Sequence, residues 1–505
     1  MSLISPAIKS IFRLRQSAIE NFVHNPVDTQ RQVFNHLIGS AQFTEYGKAY
    51  GFEKVNSIED FQKKCPVNDY DTLKPYIDRI MAGTQNVLWP SDINWFAKSS
   101  GTTSDKSKFI PVSKESLDDT HYKSGKDVLA LYLNQYPDTR MFGGKCLTIG
   151  GSCSVNQLNE ESFYGDLSAV MMVNMPFSGQ LLRTPDPSIA LMDEWEEKIE
   201  RMAQAVLHEN VTFIAGVPTW TIVLIKRLFE LAGTNNLLDI WPQLELYIHG
   251  GVSFTPYRHQ FQQLVPGHQM HYLETYNASE GFFAAQDTPE HEAGMLLFLN
   301  HGIFYEFMPL EEYGREEPRC LSLKDVETGV NYALVISTNG GLWRYVMGDT
   351  VQFTSINPFR IKVTGRLKSF MNAFGEEVIV DNSDAAIAKA CQITGAVVND
   401  YSAAPVYMTG EENGAHEWII EFAHLPVPLE TFAAEMDKAL QEVNGDYEAK
   451  RYKNIALRFP IVHRMPAGGF NSWLKSKGKL GGQHKVPRLN NDREMLEEML
   501  AFVPR

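Results

Sequence analysis

The chain has 505 residues, a net charge of −15, 44% hydrophobic residues and 21% charged residues. Single hydrophobic cores stop growing near roughly 250–300 residues, so this length requires a large domain and a smaller one. A chain this acidic lacks the basic footprint of a general nucleic-acid binder, so any cationic site must be local. Cys65, Cys146, Cys153, Cys320 and Cys391 are scattered and form no CxxC pair. That spacing argues against a disulfide framework or zinc knuckle and fits a reducing, cytoplasmic compartment.

In chain order, the first element is amphipathic, with Lys9, Arg13 and Arg15 among Ile4, Ile8, Ile11, Phe12 and Leu14. It lacks the continuous apolar stretch of a signal peptide and predicts a helix docked on its own domain, with membrane anchoring as the alternative. No run approaches the roughly 20 apolar residues of a membrane span. The chain reads as helical to about Ile80, broken at Asn25-Pro26 and Cys65-Pro66.

From Cys146 the texture becomes α/β. Cys146–Ile149, Phe213–Val217 and Leu244–His249 read as buried strands, the last ending in Gly250-Gly251, and Trp220–Leu231 reads as a helix. Two hairpins are expected next. Leu296–Leu299 and Phe304–Phe307 flank Asn300-His301-Gly302, and Ala333–Ser337 and Leu342–Met347 flank Asn339-Gly340-Gly341. After Gly365 the chain predicts a helix (Asn382–Cys391), a hairpin (Pro405–Met408 with Trp418–Phe422), a helix (Glu430–Val443) and a strand (Ile455–Phe459). The alternation suits a small α+β domain, 366–505, following a large α/β domain of mixed sheets and helices, 1–365.

Four segments carry chemistry. Ser99-Ser100-Gly101-Thr102-Thr103-Ser104-Asp105-Lys106-Ser107-Lys108 surrounds one glycine with hydroxyls and places lysines behind it. Backbone N–H groups and hydroxyls in such a loop suit phosphate oxygens, although the second glycine of a Walker loop is absent and an ordinary surface loop has the same composition. Tyr276-Asn277-Ala278-Ser279-Glu280-Gly281 follows a strand-like run, and its carboxylate is a hard oxygen donor for Mg²⁺ or simply a turn residue. Asp349, after Gly348 in the run from Trp343, can accept both ribose hydroxyl protons or merely end a strand. Gly365-Arg366-Leu367-Lys368, with Gly375-Glu376-Glu377 beyond, falls at the expected domain boundary. A possible metal spacing at His268, His271 and Glu274 falls on a strand, where side chains alternate faces, which disfavours zinc. No G-x-S-x-G elbow or HExxH supports a hydrolase.

In this order the segments resemble the motifs of the adenylate-forming superfamily of acyl-CoA synthetases, adenylation domains and luciferases. The chain is most similar within it to the auxin-responsive Gretchen Hagen family of acyl acid–amido synthetases. Ser99–Thr103 resembles that family's phosphate loop, and Tyr276–Glu280 and Arg344–Asp349 its next two motifs. Gly482-Gln483-His484-Lys485-Val486-Pro487-Arg488 resembles its terminal GQxKxPR.

The resemblance implies an ATP- and Mg²⁺-dependent ligase with a mobile C-terminal domain. Ser99, Ser100, Gly101, Thr102 and Thr103 would bind phosphate, Gly250, Gly251 and Tyr276 would lie toward the adenine, and Asn277 and Ser279 would also bind the nucleotide. Glu280 would hold Mg²⁺, Asp349 the ribose, and Arg366 would touch the nucleotide. Lys485, Glu280 and Lys368 would be the catalytic set, with Lys368 at the interdomain hinge and Lys485 entering from the small domain. Ser104 and Asp105 depart from the glycines many relatives have there, and a carboxylate near phosphates is unfavourable unless Lys106 offsets it.

The implied reaction converts a carboxylic acid into acyl-AMP with release of pyrophosphate, then transfers the acyl group to an amino acid. A CoA thioester from the same adenylate, or a non-catalytic nucleotide-binding protein, are the alternatives. Neither nucleic acid nor membrane is an expected partner. The pocket residues, and so the acid, lie outside the motifs.

Overall fold

A computed structural model describes residues 4–99, 108–149, 155–192, 195–251, 254, 257–267, 269–367, 370–371, 373, 376, 378–407, 414–444, 447–448, 451, 457–478, 485–490 and 492–504. The chain divides into two compact units. The first comprises Met1–Val252, Phe261–Met347 and Val351–Lys362. The second comprises Ser253–Gln260, Gly348–Thr350 and Val363–Arg505.

The first unit opens on helix α1 (Ile4–His24), which docks on its own domain. Phe22 is fully buried, Phe12 stacks on Phe142 at 5.3 Å, and Arg15 grips Asp127 with two nitrogens at 2.7 and 2.8 Å. Asp127 lies on α2 (Lys123–Gln135). Among the described residues no helix is long and apolar enough to cross a membrane.

A small sheet joins β1 (Trp95–Ser99), β2 (Lys108–Val112), β4 (Asn156–Gln157) and β5 (Phe163–Gly165) in the order β2-β1-β5-β4. The large sheet contains β3 (Lys145–Ile149), β6 (Arg183–Thr184), β7 (Val211–Gly216), β8 (Leu246–Gly250), β9 (His271–Ala278) and β10 (Gly281–Gln286). It continues with β11 (Met295–Leu297), β12 (Ile303–Pro309), β13 (Asn331–Thr338), β14 (Tyr345–Ile356) and β15 (Phe359–Arg366). Its order is β12-β13-β14-β15-β11-β10-β9-β8-β7-β3-β6. Strands β6, β3, β7, β8 and β9 are parallel, and β10 turns antiparallel. Parallel strands need crossovers, and α3 (Pro218–Ala232), started by Pro218 and stopped by left-handed Gly233, supplies one between β7 and β8. It matches the expected helix at Trp220–Leu231.

One expected hairpin is absent. β11 pairs with β10 (Ala284↔Leu297) and with β15 (Met295↔Ile361), whereas β12 pairs with β13 (Ile303↔Thr338). Asn300, His301 and Gly302 have the chemistry of a tight turn, but tertiary bonds claim them. Lys123 donates to Asn300 O, Thr120 to His301 O, and Asn339 N to Gly302 O, while His301 Nε2 lies 2.9 Å from Asp127. The chain therefore turns away between sheet positions instead of folding back. The second expected hairpin stands, with β13 beside β14 and Thr338 N donating to Leu342 O.

In the second unit, β18 (Val397–Val406) pairs antiparallel with β19 (Ala415–His424), so a hairpin forms where one is expected. Trp418–Phe422 pair with Val398–Ala403, however, rather than with Pro405–Met408, of which Met408 lies outside the described residues. Helices α4 (Val380–Thr394) and α5 (Leu429–Val443) pack with this sheet around buried Trp418, Tyr401 and Phe432. Short strands β16 (Phe370–Met371) and β17 (Val378–Ile379) precede them as a pair. The third strand of the sheet is β20 (Ile461–Met465), parallel to β19, rather than the expected Ile455–Phe459. Of that segment, 455–456 lie outside the described residues, Leu457 makes a single bridge to Gly414, and Phe459 is exposed. Pro460 follows, and lacking an N–H it starts a strand better than it continues one.

Candidate active site

The parallel strands of the large sheet end in register. Ile149 on β3 faces Gly216 on β7, and Gly250 at the end of β8 faces Thr275 on β9. In such sheets ligands bind beyond the carboxyl ends of the strands. Glycine at 250 is required by close approach: a Cβ there would stand 2.5 Å from Thr275 O and 3.3 Å from Asn277 Oδ1. Gly250 and Asn277 are thus neighbours, and Gly251 continues with a left-handed φ of +79°.

Strand alternation sorts the motif that follows. Tyr276 turns inward against Phe283, 4.8 Å between ring centroids, while Asn277 is exposed on the other face. Ser279 and Glu280 form the two-residue turn between β9 and β10, where Ala278 pairs with Gly281. Ser279 is buried and Glu280 half-buried, so a carboxylate is carried at the tip of a hairpin whose strands lie in the sheet.

Ser99 and Lys108 are paired across β1 and β2 and form the base of the Ser/Thr-rich loop. Ser100, Gly101, Thr102 and Thr103 lie outside the described residues, as does Lys368. The base is tied to the third motif: Lys108 Nζ lies 3.4 Å from the Tyr345 hydroxyl and close over the rings of Tyr70 and Tyr345. Just before Tyr345, Arg344 takes a left-handed φ of 41° and points into the core. Its guanidinium bonds both oxygens of Glu306 and the carbonyls of Gln62 and Cys65. An arginine between Trp343 and Tyr345 in an apolar run is the sequence signal for such a buried partner, but nothing in the sequence names Glu306.

In the second unit Arg366 Nε lies 3.1 Å from Asp349 Oδ1. Lys485 stands close enough to sense both. Its surroundings displace water from the ammonium, and with the positive charges of Arg366 and Arg488 they hold it down at about 8, against the opposing pull of Asp349. The residue as a whole is nonetheless exposed, as a group that must reach a ligand requires. The structure therefore brings Asp349, Arg366 and Lys485 together in one unit, and Gly250, Tyr276, Asn277, Ser279 and Glu280 at neighbouring strand ends in the other.

The metal spacing at His271 dissolves into packing. His271 stacks on Tyr136 at 3.7 Å and bonds the Tyr132 hydroxyl, Glu274 lies 3.4 Å from His291, and His268 is outside the described residues.

A mixed sheet with aligned parallel ends, followed by a small α+β unit, is a fold this chain shares with solved ligases and synthetases. The fold superposes on 2-hydroxyisobutyryl-CoA ligase in the postadenylation state with TM-score 0.57, at 14% identity, covering 96% of this chain and 92% of that one. It superposes more fully on the AtGH3.15 acyl acid amido synthetase in complex with 2,4-DB, with TM-score 0.80 at 17% identity over 98% and 97% of the chains. The GH3 family N-terminal domain matches residues 15–270, the central domain 296–366 and the C-terminal domain 381–494. The chain belongs to the GH3 family. Indole-3-acetic acid-amido synthetase GH3.3 of Arabidopsis thaliana is 25% identical over 414 residues, 69% of this chain and 68% of the relative.

Proposed function

We propose that this chain is an acyl acid-amido synthetase that uses ATP to activate a small carboxylic acid and passes the acyl group to the amine of an amino acid. The observation that carries the reading is the grouping of Asp349, Arg366 and Lys485, a carboxylate and two cations from distant stretches of sequence. Family membership supports it, since the matched relatives are named amido synthetases.

In the first step an oxygen of the acid attacks the α-phosphorus of ATP, the bond to the bridging oxygen breaks, and pyrophosphate leaves. In the second the amine attacks the acyl carbonyl, the bond to AMP breaks, and the amine proton is released. A carboxylate is a poor electrophile, and the adenylate supplies the leaving group it lacks. Most of the protein's contribution is to hold charge and line up atoms.

Ser99, Ser100, Gly101, Thr102 and Thr103 bind the phosphates in this reading, with Gly250, Gly251 and Tyr276 toward the adenine and Asn277 and Ser279 also on the nucleotide. Asp349 accepts the ribose hydroxyls, and Arg366 and Lys485 face the phosphate charge. Residues 366–505 act as a lid domain, with Lys368 at its pivot.

Glu280 suits Mg²⁺. Among the described residues no cluster of three His, Cys, Asp or Glu could cage a metal, so Glu280 offers one hard oxygen. Mg²⁺ binds in that way, keeping water and substrate phosphates in its shell, and would neutralise phosphate charge. Cys65, Cys146, Cys320 and Cys391 are free thiols, which supports a cytoplasmic setting.

The relatives act on different acids by name, indole-3-acetic acid in one case and 2,4-DB bound in another, so the acid here is found by testing. Small acids are screened for ATP-dependent pyrophosphate release, crossed with the common amino acids and with CoA. Acid-dependent release with AMP turnover driven by an amino acid is the expected result. Turnover driven by CoA alone overturns amide formation, and tight ATP binding without exchange makes the chain a binding protein.

A further inference from the structure

The terminal segment that carries Lys485 is anchored by a charged cluster of its own, all within the second unit. The guanidinium of Arg488 forms an ion pair with Asp400 and lies 4.4 Å from the centre of the Tyr401 ring. Tyr401 is fixed in turn. Its hydroxyl donates to Asp384 Oδ1 at 2.6 Å and lies 2.7 Å from Ser383 Oγ, both on α4.

The main chain is held at the same place. Ala403 N donates to Arg488 O at 2.9 Å, and Asn490 N donates to Ala403 O at 3.0 Å. Leu489 between them is fully buried and bridges Ala403 in parallel. Only Val486, which is buried, and Pro487, whose ring fixes φ, separate this anchor from Lys485. So short and stiff a link transmits the anchor's position to the lysine.

We propose that Arg488 is a positioning residue for Lys485: clamped between Asp400 and Tyr401, it holds the terminal segment against β18 and sets where the Lys485 ammonium stands relative to Asp349 and Arg366. The functional reading above enters only in giving Lys485 a task on the nucleotide. Arginine fits the post because a planar fork can pair with a carboxylate while its face stacks on a ring, which a lysine cannot do. Arg488 also adds positive charge beside Lys485, as Arg366 does from β15, while Asp349 on β14 opposes both.

The test compares the full chain with Arg488→Gln, Arg488→Lys and Asp400→Asn. Displacing a catalytic group by about 1 Å can cost on the order of 100-fold, so Arg488→Gln should slow acid-dependent pyrophosphate exchange by roughly 10–100-fold. Its alkaline limb should move upward, because a cation has left the neighbourhood of Lys485. Arg488→Lys should keep the limb near its original place while recovering only part of the rate, and Asp400→Asn should slow exchange as Arg488→Gln does.

Lysine titration is followed separately by NMR of the reductively methylated protein, with Lys485→Arg assigning the signal. Lys485 should titrate higher in Arg488→Gln than in the parent. An unmoved limb and an unmoved titration, with any rate loss tracking thermal stability, overturn the proposal. If the parent shows no exchange but the titration moves, the coupling of Arg488 to Lys485 stands and the functional reading falls.

Discussion

Arg366 reaches across from β15 to set its guanidinium nitrogen 3.1 Å from the Asp349 carboxylate on the neighbouring strand β14. The charge-assisted contact aims that carboxylate, whose oxygens can accept hydrogen bonds from a ribose.

Asp349→Ala removes both the acceptor and the partner of Arg366. Hydrogen bonds to charged groups contribute about 1.5–3 kcal/mol, so the KM for ATP should rise by roughly 10–150-fold. Initial rates of pyrophosphate release at varied ATP read this directly, and an unchanged KM removes Asp349 from the nucleotide.

Glu280→Ala should abolish Mg²⁺-dependent exchange without unfolding the protein. Most single substitutions cost about 0.5–3 kcal/mol, and Glu280 sits half-buried in a turn rather than in the core, so the fold should survive its loss. Exchange and thermal melting, measured on the same preparation, separate the two effects. Retained exchange would show that the metal is held elsewhere.

Arg344 belongs to the motif in sequence but to the core in structure. The Arg344–Glu306 pair is almost fully buried, with side chains 5% and 1% exposed. Breaking such a pair from one side costs about 3–5 kcal/mol, because the remaining charge stays buried without compensation. Glu306→Leu should therefore lower the denaturant midpoint markedly, and Arg344→Leu with Glu306→Leu should recover much of the loss. Equal destabilisation of the single and double variants would contradict the pairing.

Rate should depend on pH through Lys485. Its ammonium is held down at about 8, so a step that needs the cation is fully supported below that value and fades as pH rises through it. Bound phosphate charge favours the ammonium, so the limb of kcat should lie above the limb of kcat/KM. Arginine stays protonated throughout, so Lys485→Arg should erase the limb from whatever activity remains. A limb that persists in that variant belongs to another group.

Much of the architecture was legible because its signals are local. Pro218 and Gly233 punctuate a helix within one stretch of chain, and the alternating residues of Trp418–Phe422 announce the strand β19. The misplaced elements failed for nonlocal reasons. Asn300, His301 and Gly302 look like a hairpin turn until Asp127, Thr120, Lys123 and Asn339 bind them. Pro460 shifts the last strand of the small sheet to Ile461–Met465.

From its residues alone this chain determined the order of its motifs, the glycines that permit close approach, and the acids and bases a nucleotide chemistry needs. Those properties are carried by short contiguous stretches. Tertiary structure alone decided that Arg344 turns inward to Glu306, that Arg488 is clamped by Asp400 and Tyr401, and that Asp349, Arg366 and Lys485 meet. A buried charge must find its partner wherever the fold brings one, and sequence distance carries no information about which residue that is.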